Sequence, residues 1–199
     1  MKVAVVVLAA GASSRFGSPK LLADLGGRPV LQHTLDAVAE AGLDDVVVVL
    51  GPARDDVEAA IAWRGERRVT NDRPQDGLSS SVRVGLDAAA GDDAVAAVLI
   101  VLGDQPAIRP AAIRAVVLAA AGSPAPIVRA RYATDGAPYP VLVRRTAWAL
   151  VAGLSGDRGL GPLLAQRPEL VLAVPVEGAN PDVDTPADLA ALQPAEASS

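Results

Sequence analysis

Cysteine is absent from this sequence, and histidine occurs once, at His33. The first absence excludes disulfides, thiolate metal sites and a cysteine nucleophile, and both together leave no nitrogen and sulfur set for zinc. A chain without thiols suits a reducing compartment. Aromatic residues are scarce at 3%, while 51% of the chain is hydrophobic, so the interior has to be built from aliphatic side chains. No apolar run reaches the roughly 18 residues of a membrane-spanning helix. Met1 and Lys2 lead straight into a strand-like run without the layout of a secretory signal, so the expected address is the cytoplasm, with no membrane partner. Positive charge is also short: 18 Lys and Arg face 23 Asp and Glu, for a net charge of -5. That balance argues against nucleic acid as a partner, because phosphate-backbone binding needs a concentrated basic face. Only two of the 18 basic residues are lysines, Lys2 and Lys20. An anionic ligand has to be met locally.

A chain of 199 residues is long enough for a sizeable core, and one domain is expected over residues 1–192, with the polar stretch 193–199 as a flexible tail. Short aliphatic runs at 2–8, 45–50, 68–70, 94–102, 126–131, 140–143 and 170–176 read mostly as strands buried on both faces. Helical segments fall between several of them, at 29–41, 55–63, 79–89 and 110–121, with proline near some starts and glycine just past some ends. Strands alternating with helices predict an α/β fold with a mostly parallel central sheet and helices on both faces, since parallel neighbours need crossover connections. Beyond Ala125 the alternation is less regular, and that segment is expected to finish the sheet and the second half of a site. Ligands of open α/β sheets sit outside the carboxyl ends of the strands, which directs attention to the loops at 9–20, 71–81, 103–106 and 178–184.

The loop in "LAAGASSRFGSPK" leaves the first strand through small residues, with Gly11 and Gly17 allowing close backbone approach and a nest of N–H groups. Arg15 and Lys20 add two positive charges, one a planar fork and the other a mobile point charge. The stretch reads as a triphosphate cradle, with a solvated surface turn as the alternative; its spacing fits neither the dinucleotide fingerprint nor the P-loop. In "VLIVLGDQP" an apolar strand ends in Gly103 and Asp104. That carboxylate is a natural ligand for Mg²⁺, or simply a helix cap. "NPDVDTPADL" contains a helix started by Pro186 and capped by Thr185 or Asp184. "NDRPQDGLSSSVRVGL" leads from a turn into a serine-capped helix. In "DGAPYPVLVRR" and "LSGDRGLGPLL", Tyr139 reads as a half-buried strand residue, and Asp157 with Arg158 as a turn pair. His33, Trp63, Trp148 and the pairs Arg67-Arg68 and Arg144-Arg145 are assigned structural or solvent-facing roles.

The first of these stretches matches throughout the L-A-[AG]-G-x-S-x-R-x-G-x-x-K signature, and the chain thereby resembles nucleotidyltransferases of Rossmann-like fold, the MobA-like NTP transferase family. The likeness extends from Val3 to Leu192. "GDQP" and Ala10 resemble the molybdenum cofactor cytidylyltransferase branch more than the guanylyltransferases. The resemblance implies nucleotide contacts at Leu8, Ala9, Ala10, Gly11, Arg15, Lys20, Asn71, Gly77, Ser81 and Asp104. Catalysis would fall to Arg15, Lys20 and Asp104, and Mg²⁺ would be held by Asp104 with Asp184, or with Asp182 as the alternative. Acceptor contacts are implied at Tyr139, Pro140, Gly156 and Asp157, although Tyr139 stands where the family commonly has histidine.

The expected function is Mg²⁺-dependent transfer of CMP from CTP to a phosphorylated acceptor, molybdopterin in the closest branch, with release of pyrophosphate. Transient contact with a molybdoenzyme or its maturation factor would follow. The alternatives are another base (GTP or UTP), another phosphorylated acceptor, or a non-catalytic nucleotide or pterin carrier.

Overall fold

The strand β1 (Lys2–Ala9) is the axis of the molecule: from Ala4 to Ala10 no residue exposes more than 5% of its surface. A computed structural model describes residues 1–11, 16–133, 138–157 and 159–193. β1 pairs in parallel with β4 (Val46–Leu50) on one side and β6 (Val95–Leu102) on the other, so that Val6 stands between Val47 and Ile100. β5 (Arg67–Thr70) extends the sheet beyond β4, while β8 (Val141–Arg144), β7 (Ile127–Arg131) and β9 (Val171–Pro175) extend it beyond β6. Only β8 runs antiparallel to its neighbours in this seven-stranded sheet. A small hairpin, β2 (Asp24–Leu25) and β3 (Arg28–Pro29), turns through Gly26 and Gly27 before the first helix.

Side-chain alternation along the strands divides the core in two. Val5, Val7 and Ala9 face α1 (Val30–Glu40), α2 (Arg54–Ala60) and α4 (Pro110–Ala121) through Leu31, Leu35, Val57, Ile113 and Val116. Ala4, Val6 and Leu8 face α3 (Leu78–Ala90), α5 (Trp148–Ala152) and α6 (Gly161–Gln166) through Val82, Leu86, Trp148 and Leu163. The expected α/β architecture with helices on both faces is therefore present. α7 (Pro186–Leu192) begins with a capping box in which Thr185 accepts from the Asp188 amide and the Asp188 carboxylate accepts from the Thr185 amide.

The edges depart from the sequence reading for local reasons. β5 and β9 lie at the two ends of the sheet and are only half covered, in contrast to the buried central strands. α2 stops at Ala60, three residues early, and Trp63 caps the exit by donating from Nε1 to the Glu58 carbonyl at 3.0 Å. Arg144 closes the carboxyl end of α4, with its guanidinium on the carbonyl of Ala120 in the last turn and on those of Ser123 and Ala125 beyond it. Arg145 bonds the carbonyls of Asp92 and Val95 and lies over the Trp148 ring. No helix among the described residues is long and apolar enough to cross a membrane.

One glycine sets the spacing between α3 and the sheet. A Cβ on Gly85 would stand 2.3 Å from Val6 Cγ1, so the helix lies on β1 with no room for a methyl group. Gly85→Ala gains about 1 kcal/mol of helix propensity, but overpacking costs about 1–3 kcal/mol. The net expectation is a lower urea midpoint with an unchanged m-value. A midpoint equal to or above that of the native protein would mean that α3 can slide off β1 without loss.

Candidate active site

Because β1, α1, β4, α2 and β5 run outward to one side, the chain must cross back over the sheet through α3 to place β6 on the free side of β1. The strand order reverses there, and the carboxyl ends of β1 and β6 open into a cavity of about 360 Å³. Leu8 and Ala9 line it from β1, with Ala10 and Gly11 just beyond, and Leu102 lines it from the end of β6, with Asp104 in the loop that follows. Lys20 and Leu21 reach it from a single helical turn over Lys20–Leu22. Leu78 and Ser81 line it from the start of α3, Pro74 and Gly77 from the turn before it, and Asp157 and Asp182 complete it from loops in the second half of the chain.

The start of α3 is held by a serine and asparagine network. Asn71 Nδ2 donates to Ser80 Oγ at 2.8 Å and Ser81 Oγ at 2.9 Å, and Ser80 Oγ in turn donates to the Gly77 carbonyl at 2.7 Å. Asn71 is 3% exposed and does not line the cavity, and its hydrogen bonds hold the turn that presents Gly77 and Ser81. Gly77 has φ of +90°, and a Cβ there would fall 2.4 Å from the Gly156 carbonyl carbon. Backbone therefore meets backbone, with Ser79 N donating to Gly156 O at 3.3 Å, and this contact carries Asp157 into the wall.

Charge concentrates at the mouth between β1 and β6. Lys20 Nζ lies 2.5 Å from Asp104 Oδ2 and donates to Asp184 Oδ1 at 2.8 Å. Its side chain is only 12% exposed, and those of Asp104 and Asp184 are 20% and 33% exposed. Burial works against the ammonium, but Asp104 and Asp184 outweigh it and hold the Lys20 pKa above its ordinary value. The Asp182 pKa is raised as well, which for a carboxyl group favours the neutral form: burial first, then the charges of Asp104 and Asp184, outweigh the opposing Gln105 hydrogen bond and Lys20 charge. The loops that carry these carboxylates are tied at the backbone, where Val183 N donates to Asp104 O at 2.9 Å.

Of the residues expected from the sequence, Leu8, Ala9, Ala10, Gly11, Lys20, Gly77, Ser81, Asp104 and Asp157 line one cavity, and Asp184 joins it through Lys20. Arg15 lies outside the described residues. Gly156 stands behind Gly77. Tyr139 and Pro140 do not line the cavity: Tyr139 is 4% exposed in the core beneath α3 and α6, joined to Pro140 by a cis peptide bond. Its hydroxyl sits beside Gly159 and the Leu160 backbone without a well-formed hydrogen bond, and burial pushes its pKa up to about 12. The sequence reading passed over Gln105 and Asn180, two buried amides that join the Asp104 and Asp182 loops. Their only sequence signal is their place beside the carboxylates.

The donor set suits a hard divalent cation. Asp104 and Asp184 already share one positive charge, and among the described residues no group of three or more His, Cys, Asp or Glu side chains forms a complete metal cage. An ion held by one or two carboxylates and completed by substrate phosphates is the usual arrangement for Mg²⁺ at a nucleotide site.

The bifunctional protein GlmU of Azorhizobium caulinodans is 34% identical to the chain over 184 residues, 89% of this chain and 35% of that protein. The chain spans between 23% and 35% of the length of the curated relatives it matches. Among solved structures, Rv0371c from Mycobacterium tuberculosis superimposes with a TM-score of 0.85 at 35% identity, covering 96% of each chain. Its complex with manganese gives 0.81 at 33% identity, covering 96% of this chain and 98% of that one. The family description that matches residues 5–171 takes in β1, the Lys20 turn, the start of α3 and Asp104, and the chain accordingly belongs to the MobA-like NTP transferase domain family, the nucleotidyltransferases.

Proposed function

We propose that the chain transfers CMP from CTP to a phosphorylated acceptor with release of pyrophosphate, using Mg²⁺ held by Asp104 and Asp184. The observation that carries this reading is the Lys20 ammonium shared by those two carboxylates at the open end of β1 and β6. It joins hard oxygen ligands and a mobile cation in one nucleotide-sized cavity. Bound there, the metal would neutralise triphosphate charge that otherwise repels an anionic nucleophile.

The chain's own residues do the rest by position and charge. Small side chains at Ala9, Ala10 and Gly11 leave room for phosphates against the end of β1. Gly77 and Ser81, at the start of a 13-residue helix, would meet the base. An acceptor phosphate oxygen attacks the α-phosphorus of CTP, and the bond to the leaving pyrophosphate breaks with its electron pair going to pyrophosphate. Lys20 would offset charge at the α-phosphate, and Arg15 would hold the leaving group. No covalent enzyme intermediate is required. Molybdopterin is the favoured acceptor on the strength of "GDQP", "GDRG" and Ala10, with the product passing in the cytoplasm to a molybdoenzyme or its maturation factor. With Tyr139 buried, acceptor contacts would rest on Asp157 and its neighbours.

The assay is Mg²⁺-dependent pyrophosphate release with CTP, GTP, ATP and UTP, each with and without a molybdopterin-type cofactor. Release is expected with CTP only when the cofactor is present. Release with another triphosphate or another phosphorylated acceptor would change the base or acceptor and keep the chemistry. Absence of both release and calorimetric binding with every triphosphate would sink the transferase reading. Asp104→Ala is expected to lower turnover by about 100-fold or more while the fold persists, because it removes a ligand and a partner of Lys20. A carrier without turnover would keep its nucleotide affinity in that variant.

A further inference from the structure

Behind the cavity lies a pair of buried amides with no part in the reaction as derived. Gln105 has no exposed surface and follows Asp104 directly. Its Nε2 donates to Asp182 Oδ1 at 2.8 Å and to Asn180 O at 3.3 Å, while its Oε1 accepts from Asn180 Nδ2 at 2.8 Å. Asn180 Nδ2 also donates to the Tyr139 carbonyl at 3.3 Å, which ties the bond network to the entry of β8. One carboxamide thus uses two donors and an acceptor to join segments that are 75 and 77 residues away in the chain. With Val183 N on Asp104 O, these bonds fix where the loop carrying Asp182 and Asp184 stands relative to Asp104.

We infer that Gln105 is a positioning residue for the divalent-cation site: its amide holds the Asp182–Asp184 segment at the distance from Asp104 that lets Asp104 and Asp184 share one cation. The inference rests on the proposed role of those two carboxylates as ligands. Gln105 is absent from the cavity lining and acts through Asp182 and the loop around it. An apolar side chain in its place leaves Asp182 Oδ1 and Asn180 Nδ2 without this partner in a buried setting, and the loop relaxes to find water. Groups that orient metal ligands in this way are worth about 10–100-fold in metal affinity or activity.

The test compares the native protein with Gln105→Met, which fills a similar volume without a donor, and Gln32→Met. Gln32 is the matched control: 3% exposed, accepting from Ala62 N at 2.8 Å and donating to Asp36 Oδ1 at 3.2 Å on α1, outside the cavity lining. Mn²⁺ is titrated into each, alone and with CTP, and followed by water-proton relaxation, which separates protein-bound ion from free and nucleotide-bound ion. Gln105→Met is expected to weaken Mn²⁺ binding about 10-fold or more, and Gln32→Met to change it less than about two-fold, although both lower the melting temperature. Equal Mn²⁺ binding by the native protein and Gln105→Met would overturn the positioning role and leave the cation site standing. No Mn²⁺ binding by the native protein in either condition would remove the cation site and the inference together. Should Gln105→Met fail to fold, the native side-chain amide resonances decide: those of Gln105 are expected to exchange slowly and to shift when Mg²⁺ and CTP are added, while those of Gln32 stay in place. A Gln105 resonance unmoved by Mg²⁺ and CTP would overturn the inference.

Discussion

At the carboxyl ends of the central strands Asp104 and Asp184 stand near enough to Asp182 to raise its pKa, and the site depends on how the repulsion among these carboxylates is held. Repulsion between neighbouring like charges near a protein surface is too large to leave uncompensated in a marginally stable domain. Lys20 supplies the compensation by direct contact with Asp104 and Asp184. Its own place is set by packing: Leu21 is buried in the core beneath it, and the hairpin that follows returns the chain so that Val30 N meets Ala23 O at the start of α1. The cation is thereby delivered to the carboxylates by a short turn anchored on an apolar side chain.

The sheet topology then fixes which loops can take part. Crossing from β5 over β1 to β6 leaves a gap in the connections above β1, and the two faces of that gap are finished by distant segments. The first turn of α3 closes one face because Gly85 lets the helix lie against Val6 and Gly77 lets it touch Gly156. The loop between β9 and α7 closes the other, through Val183 N on Asp104 O and the amides of Gln105 and Asn180. The second half of the chain, with its antiparallel β8, serves chiefly to bring Asp157 and the Asp182–Asp184 loop back to strands laid down in the first half.

Most of this was legible in the sequence where the signal was local. Continuous aliphatic runs gave β1, β4 and β6, because strands buried on both faces leave no polar gaps. Proline and glycine marked the ends of α4, and the loop glycines with Lys20 and Asp104 marked the cavity. The unread parts depend on contacts at long sequence separation. Nothing near Gln105 announces that its partners lie 75 and 77 residues away, and an amide in a loop carries no periodicity. The direction of β8 follows from pairing with both β6 and β7 and not from its own residues. The sequence predicts a half-buried Tyr139, whereas α3, α6 and Gly159 close over it, a tertiary effect that a strand's alternation does not encode.

The choice of lysine at position 20 follows from the same charge balance. Without a divalent ion the carboxylates Asp104 and Asp184 hold the ammonium, and in the proposed reaction the same oxygens must hold the metal. In that reaction the two cations could not occupy one position, so the ammonium would leave Asp104 and Asp184, with a substrate phosphate as its new anionic partner. An arginine fork would bind the two carboxylates in a planar grip of fixed geometry, whereas a lysine is a point charge on a flexible four-carbon stem that can swing between partners. In the proposed reaction Lys20 would thereby couple the uptake of nucleotide to the uptake of metal, by passing from the carboxylates to a phosphate.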